Sequence, residues 1–229
     1  KTMQTPKNRL ATYVAAGIMG STAVLAASPA AAFDPSLSAG VGISNMYLFR
    51  GFDLSDAGQA HISGSLDLDS GMGLYTGVWA ASGDGTAGQE YDLYAGYATD
   101  LTDDVSIDVG AISYIYPKQS KAVSQDGFGD FSEAYASISA YGASLYYADN
   151  IAGDPGYTYT SLSYGYGPVS AAIGQNSSDD ADNTHLDLTF QFNDEIAFTA
   201  STLVDVEDDT QTRRSTLVQV SYSKSFDFK

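Results

Sequence analysis

Five carboxylates, Asp67, Asp92, Asp108, Glu133 and Asp187, share one feature. Each falls on the polar parity of a segment in which polar and apolar side chains alternate. Facing an aqueous lumen, such a set would act as fixed charge that favours cations and rejects anions. Arg50 has the same polar parity and opens a long connection, which suits an ion pair with those acids or a place at a pore mouth. Arg213 and Arg214 open the last segment, where a membrane surface or loop acids are the expected neighbours. Catalysis has little to work with. Cys is absent, which removes thiolate chemistry, and the two histidines, His61 and His185, belong to no H-E-x-x-H motif, with no G-x-S-x-G elbow in the chain. The acidic runs Asp179-Asp180-Ala181-Asp182 and Asp205-Val206-Glu207-Asp208-Asp209 lack the D-x-[DN]-x-[DN]-G-x5-E calcium pattern and fit solvated loops. Gly83-Asp84-Gly85-Thr86 precedes no helix, so it is a turn rather than a phosphate loop. No enzyme activity, cofactor or bound metal is expected.

The elements that would position these charges are strands. From Ser36 onward the chain breaks into segments of roughly 9–13 residues with period-2 alternation and no helical periodicity. In 184–193, Leu186, Leu188, Phe190 and Phe192 share one face, and His185, Asp187, Thr189 and Gln191 the other. Similar patterns span 61–69, 90–100, 104–116 and 195–206, and weaker ones 36–50, 73–82, 132–140, 143–149, 157–166, 168–176 and 213–226. Connections alternate strictly between short and long. Ser70-Gly71-Met72, Leu101-Thr102-Asp103, Tyr141-Gly142, Gly167 and Asp194 are short; those near 51–60, 83–89, 117–131, 150–156, 177–183 and 207–212 are longer. The expected fold is therefore all-β: an antiparallel, up-and-down transmembrane β-barrel of about twelve strands, with short periplasmic turns, long outer loops and both termini periplasmic. In hydrocarbon every backbone polar group must find a partner within the protein, so a sheet can span only if it closes. Tyr75, Trp79, Tyr91, Tyr97, Tyr114, Tyr116, Tyr157, Tyr159 and Tyr222 lie near strand ends, where aromatic girdles meet headgroups. Tyr94, Tyr114, Tyr116 and Tyr135 also have inward parity and would narrow a lumen.

The first residues are a different kind of segment. Lys1, Lys7 and Arg9 precede an uncharged apolar stretch from Ala11 to Ala27, and Ala30-Ala31-Ala32 follows before Phe33. That order predicts a secretory signal peptide over 1–32, cleaved near Ala32, and a barrel domain over 33–229. Without it, seven Lys and Arg face 28 acids, a formal charge of −21 against −18 for the whole sequence. Phosphate binding needs a basic surface, so nucleic acid is excluded as a partner. The expected partners are outer-membrane lipid and lipopolysaccharide, small ions or hydrophilic solutes, and the barrel-assembly machinery during biogenesis. Tyr222, Phe226 and Phe228 suit the aromatic ending that this machinery reads, although Lys229 follows.

Several segments resemble the TorF-type porins of Gram-negative bacteria. Ser44-Asn45-Met46-Tyr47-Leu48-Phe49-Arg50-Gly51 with Ser55 is similar to that family's S-x-x-Y-x-F-R-G-x-x-x-S opening. Gly73-Leu74-Tyr75-Thr76-Gly77-Val78-Trp79, Glu90-Tyr91-Asp92-Leu93-Tyr94-Ala95-Gly96-Tyr97, Asp108-Val109-Gly110 with Tyr114-Ile115-Tyr116-Pro117, and Ser132-Glu133-Ala134-Tyr135-Ala136 follow in order, so the resemblance covers 36–140. It implies a bacterial outer-membrane location and a pore. The expected function is passive diffusion of ions or small hydrophilic solutes, with a preference for cations. The alternative is a non-conducting structural, adhesive or surface-binding barrel, since twelve strands enclose a narrower interior than the 16–18 of larger porins.

Overall fold

The computed structural model describes residues 34–55, 59–84, 88–117, 127–179, 182–206 and 215–228. The expected signal peptide, Arg213, Arg214 and Lys229 lie outside the described residues, as does part of each acidic run. Among the described residues there are fourteen strands and no helix: β1 (Ser36–Ser44), β2 (Leu48–Phe49), β3 (Phe52–Asp53), β4 (His61–Asp69), β5 (Leu74–Asp84), β6 (Gly88–Thr102), β7 (Val105–Ile115), β8 (Phe131–Ala140), β9 (Ala143–Ala152), β10 (Thr158–Tyr166), β11 (Val169–Ser177), β12 (Asn183–Gln191), β13 (Ile196–Val206) and β14 (Leu217–Phe228). Twelve of them close into one barrel, each antiparallel to its sequence neighbour, with β1 between β14 and β4. Leu37↔Phe228 through Ser44↔Ser221 seals the wall and leaves it no free edge. The strands β2 and β3 form a separate two-stranded hairpin.

Alternation decides the two faces. Ile62, Leu66 and Leu68 on β4, Leu186, Leu188 and Phe190 on β12, and Val218, Val220 and Tyr222 on β14 are all exposed on the outside. Their neighbours Ser63, His185 and Ser201 are buried inside. An apolar surface that runs round the whole barrel is far larger than a water-soluble monomer tolerates. The short turns show why they could be short. At Tyr141-Gly142 both residues have positive φ, 52° and 86°, the two-residue hairpin geometry whose twist matches the flanking strands.

Two expectations change. The first strand ends at Ser44, not near 50, because the chain turns inward there and makes the β2–β3 hairpin. Of the nine aromatic residues assigned to girdles, Tyr91, Tyr97 and Tyr222 face outward. Trp79, Tyr114 and Tyr159 are buried inside the barrel, and Tyr75, Tyr116 and Tyr157 hydrogen-bond there to Asp108, Glu90 and Asn176. Lumen carboxylates and amides offer these phenols the partners that headgroups would otherwise supply.

Candidate functional site

The site is the lumen, and the hairpin organises it. Phe49-Arg50-Gly51-Phe52 is a two-residue turn with φ of 48° at Arg50 and 90° at Gly51. Tyr47 carbonyl accepts from the Leu54 amide at 2.8 Å, and Gln219 Nε2 donates to the Met46 carbonyl at 3.0 Å, which ties the base of the hairpin to β14. Gly51 sits where an added Cβ would lie 2.6 Å from His185 Cβ, so the tip rests on β12. The backbone there leaves no room for a side chain.

Arg50 extends from this tip. Its two terminal nitrogens donate to the two Glu133 oxygens at 2.8 and 2.7 Å, a bidentate pair with both side chains 2% exposed. Nη1 also donates to Tyr157 Oη at 3.1 Å, and Asn176 Nδ2 donates to the Arg50 carbonyl at 3.0 Å. The guanidinium lies 4.4 Å from the Tyr159 ring centroid and 4.7 Å from that of Phe49, a cation–π sandwich. Burial opposes the guanidinium charge, but the bidentate Glu133 carboxylate outweighs it, and its pKa lies above the ordinary value. Burial followed by the Glu90 and Asp92 charges pushes the Tyr47 phenol well up, so it stays a donor, to Glu90 Oε2 at 2.8 Å. Burial likewise raises Tyr157, with Arg50 opposing.

The remaining predicted acids occupy the same inner face but are not gathered into one ring. Asp67 accepts from Tyr94 and from Ser65 Oγ. Asp92 is 2% exposed, opposite Trp79 in register. Asp108 accepts from Tyr75 Oη at 2.6 Å, and Tyr75 hydroxyl meets that of Tyr135 at 2.5 Å. Asp187 contacts His185 Nδ1 at 3.1 Å, and His185 Nε2 meets Tyr159 Oη at 3.0 Å. That chain has the order acid, imidazole, hydroxyl, yet His185 is 1% exposed and stacked on Tyr159 at 8°, which makes it a brace between β10 and β12. His61 packs in the same way, stacked on Tyr47 at 4.3 Å. Both histidines lie within the first three residues of their strands, at the long-loop end, and are buried inside the barrel. Among the described residues no group of three or more His, Asp or Glu is arranged to hold a metal ion.

Sequence reasoning missed Glu90, 1% exposed, which accepts from Tyr47 and Tyr116. Its signal was available: it lies two residues before Asp92 on the same face. Irregular pairing beside Glu133 and beside His185 was not foreseeable. The register shifts between Ser132 and Glu133 and between Thr184 and His185, and such bulges re-aim a side chain.

The lumen is divided lengthwise. On β5 to β9 it is filled by Trp79, Tyr94, Ile112, Tyr114 and Tyr135 packed against Tyr47 and Phe49 of the hairpin, with Tyr146 of β9 stacked on Tyr135. On β10 to β14, β1 and β4 it is open, with a cavity of about 440 Å³. This cavity runs from Tyr47 and His61 at the level of the hairpin to Pro168, Asn193 and Asp194 at the short turns, and Asp187 is the one predicted acid on its wall.

A closed antiparallel barrel, apolar outside and polar within, defines the class of proteins that cross membranes by strands. Within that class the chain belongs to a bacterial family of unknown function, Gcw_chp, whose model matches residues 26–222. The family shown is this one; the likeness of 36–140 to the TorF-type porins stands as a resemblance. No curated protein matches the sequence. Among solved structures, a KdgM porin is 7% identical over 85% of this chain and 99% of that one, with a TM-score of 0.46. OccK10 (OpdN) of Pseudomonas aeruginosa is 12% identical over 85% and 70%, with a TM-score of 0.39. The outer membrane protease OmpT of Escherichia coli is 13% identical over 87% and 99%, with a TM-score of 0.26.

Proposed function

We propose that this protein is an outer-membrane channel for passive diffusion of ions or small hydrophilic solutes, exported by a signal peptide that is cleaved near Ala32. The barrel is assembled by the outer-membrane insertion machinery and sits among lipid and lipopolysaccharide. The observation that carries this reading is the cavity of about 440 Å³ inside a closed, outwardly apolar barrel, reaching the short-turn end along one side of the lumen. The solute path follows that side. Asp67, Asp92, Asp108 and Glu133 are assigned to holding the tyrosine-filled side together, and Asp187 to the path. A modest preference for cations then rests on Asp187, with Asp194 near the exit.

The alternative, a barrel too plugged to conduct that serves a structural or surface-binding role, is favoured by one specific observation. The Arg50–Glu133 pair bolts the hairpin across the lumen and is almost fully buried. Single-channel recording of the refolded mature protein across a KCl gradient separates the two. Discrete steps with a reversal potential on the cation side support the channel, and Asp187→Asn should move that potential toward zero. A silent bilayer with a folded barrel supports the plug.

A further inference from the structure

The wall of the cavity has a chemistry of its own. Seven consecutive strands of the closed sheet, β10 to β14, then β1 and β4, build it. Their inward side chains are short and hydroxylated or amidic: Ser44, Ser161, Thr189, Thr199, Gln219 and Ser221 are representative. Two acids, Asp187 and Asp194, line it, and among the described residues no Lys or Arg does, Arg50 being committed to Glu133 on the opposite wall.

Each of these facts bears on what fits. A Ser, Thr or Gln side chain can donate or accept, so a wall of them matches a solute whose own groups do both. A solute with fixed negative charge would face two carboxylates and, among the described residues, no cation on this wall to offset its desolvation cost. A volume of about 440 Å³ lies within the range of small-molecule sites, roughly 300–1,000 Å³. It corresponds to on the order of fifteen waters at liquid density.

From this wall we infer that the half-lumen is a binding and passage site for neutral polyhydroxylated solutes of about monosaccharide to disaccharide size. The inference rests on the channel reading and narrows it. Neutral sugars exchange their water hydrogen bonds for equivalent ones along the serine and threonine wall, and anionic sugars of the same size are turned away.

The test is liposome swelling with the refolded mature barrel, run beside conductance on the same preparation. Glucose, its anionic counterpart gluconate and its cationic counterpart glucosamine have similar size and differ in charge. Glucose should enter about tenfold faster than gluconate, the order of effect that a cleft of one charge sign produces. Ser221→Arg places a cation on this wall and should let gluconate in; Ser221→Leu fills the same space without charge and should slow all three solutes. Heat-modifiable gel migration checks that each variant is folded. Ion steps without glucose entry, or equal entry of glucose and gluconate, overturn the inference and leave the channel standing. Glucosamine passing while glucose is excluded also overturns it, in favour of a cation path. Absence of both ion steps and swelling from a folded barrel removes the channel reading and this inference together.

Discussion

At the scale of single residues, Arg50 sets the terms. Its charge is buried, paired with both oxygens of Glu133 and sandwiched between Phe49 and Tyr159. Breaking such a pair from one side strands a buried carboxylate, which costs about 3–5 kcal/mol, whereas replacing both partners by apolar groups is often close to neutral. Arg50→Ala should therefore lower the denaturant midpoint of the folded gel band markedly, and Glu133→Gln should do so as well. The double replacement Arg50→Met with Glu133→Leu should lose less than the sum of its single changes. Additive losses would mean that the two residues act separately. An ion pair for Arg50 with a lumen acid was legible from parity alone. Its placement at a hairpin tip was not. The apolar run Met46-Tyr47-Leu48-Phe49 has no alternation to assign it to either face, and it is the Arg50-Gly51 pair, both with positive φ, that turns the chain back.

At the scale of elements, the strands were legible because each shows one face to lipid and one to the lumen, which writes period 2 into the sequence. The tyrosines were less so. Tyr meets hydrogen-bonding needs equally at a headgroup and inside a wet barrel, so nearness to a strand end does not separate the two. Parity does: Tyr75 and Trp79 share the face of Gly77, and Tyr114 shares that of Asp108 and Gly110. The glycines are part of the same design. Gly77 pairs with Tyr94, Gly96 with Tyr75 and Gly110 with Tyr135 across neighbouring strands, so each ring lies flat over a residue without a side chain. At Gly77 an added Cβ would fall 2.5 Å from Tyr94 Cζ, and its three nearest atoms all belong to that ring. Gly77→Ala should cost about 1–3 kcal/mol by overpacking. On a Tyr94→Ala background the same change should cost little, read again from the denaturant midpoint. A full loss on that background would place the strain in the backbone instead of the ring.

At the scale of the whole molecule, wall and plug are separate constructions. Closure depends on β1 pairing with β14 and β4 along its full length to Ser44, and none of those ladders involves the hairpin that follows. The hairpin reaches across from the β1–β4 side, and its tip is held by side chains of β8, β10, β11 and β12. Short and long connections in alternation made the barrel legible, but a lumen filled on five strands and open on seven was not, because it depends on which side a folded-in loop leans toward. The division predicts what happens when the hairpin goes. Replacing residues 46–54 with a short Gly-Ser linker leaves every barrel ladder intact, so the protein should still migrate as a heat-modifiable closed barrel. It should also uncover Glu133, Glu90 and Asp92 to water at once. Single-channel conductance should then rise several-fold over that of the intact protein, as it does wherever the narrowest element of a pore is removed, and cation selectivity should sharpen as three carboxylates join Asp187 on the path. An unchanged conductance with a verified barrel would move the restriction away from the hairpin and onto the tyrosines of β5 to β9, which the deletion does not touch.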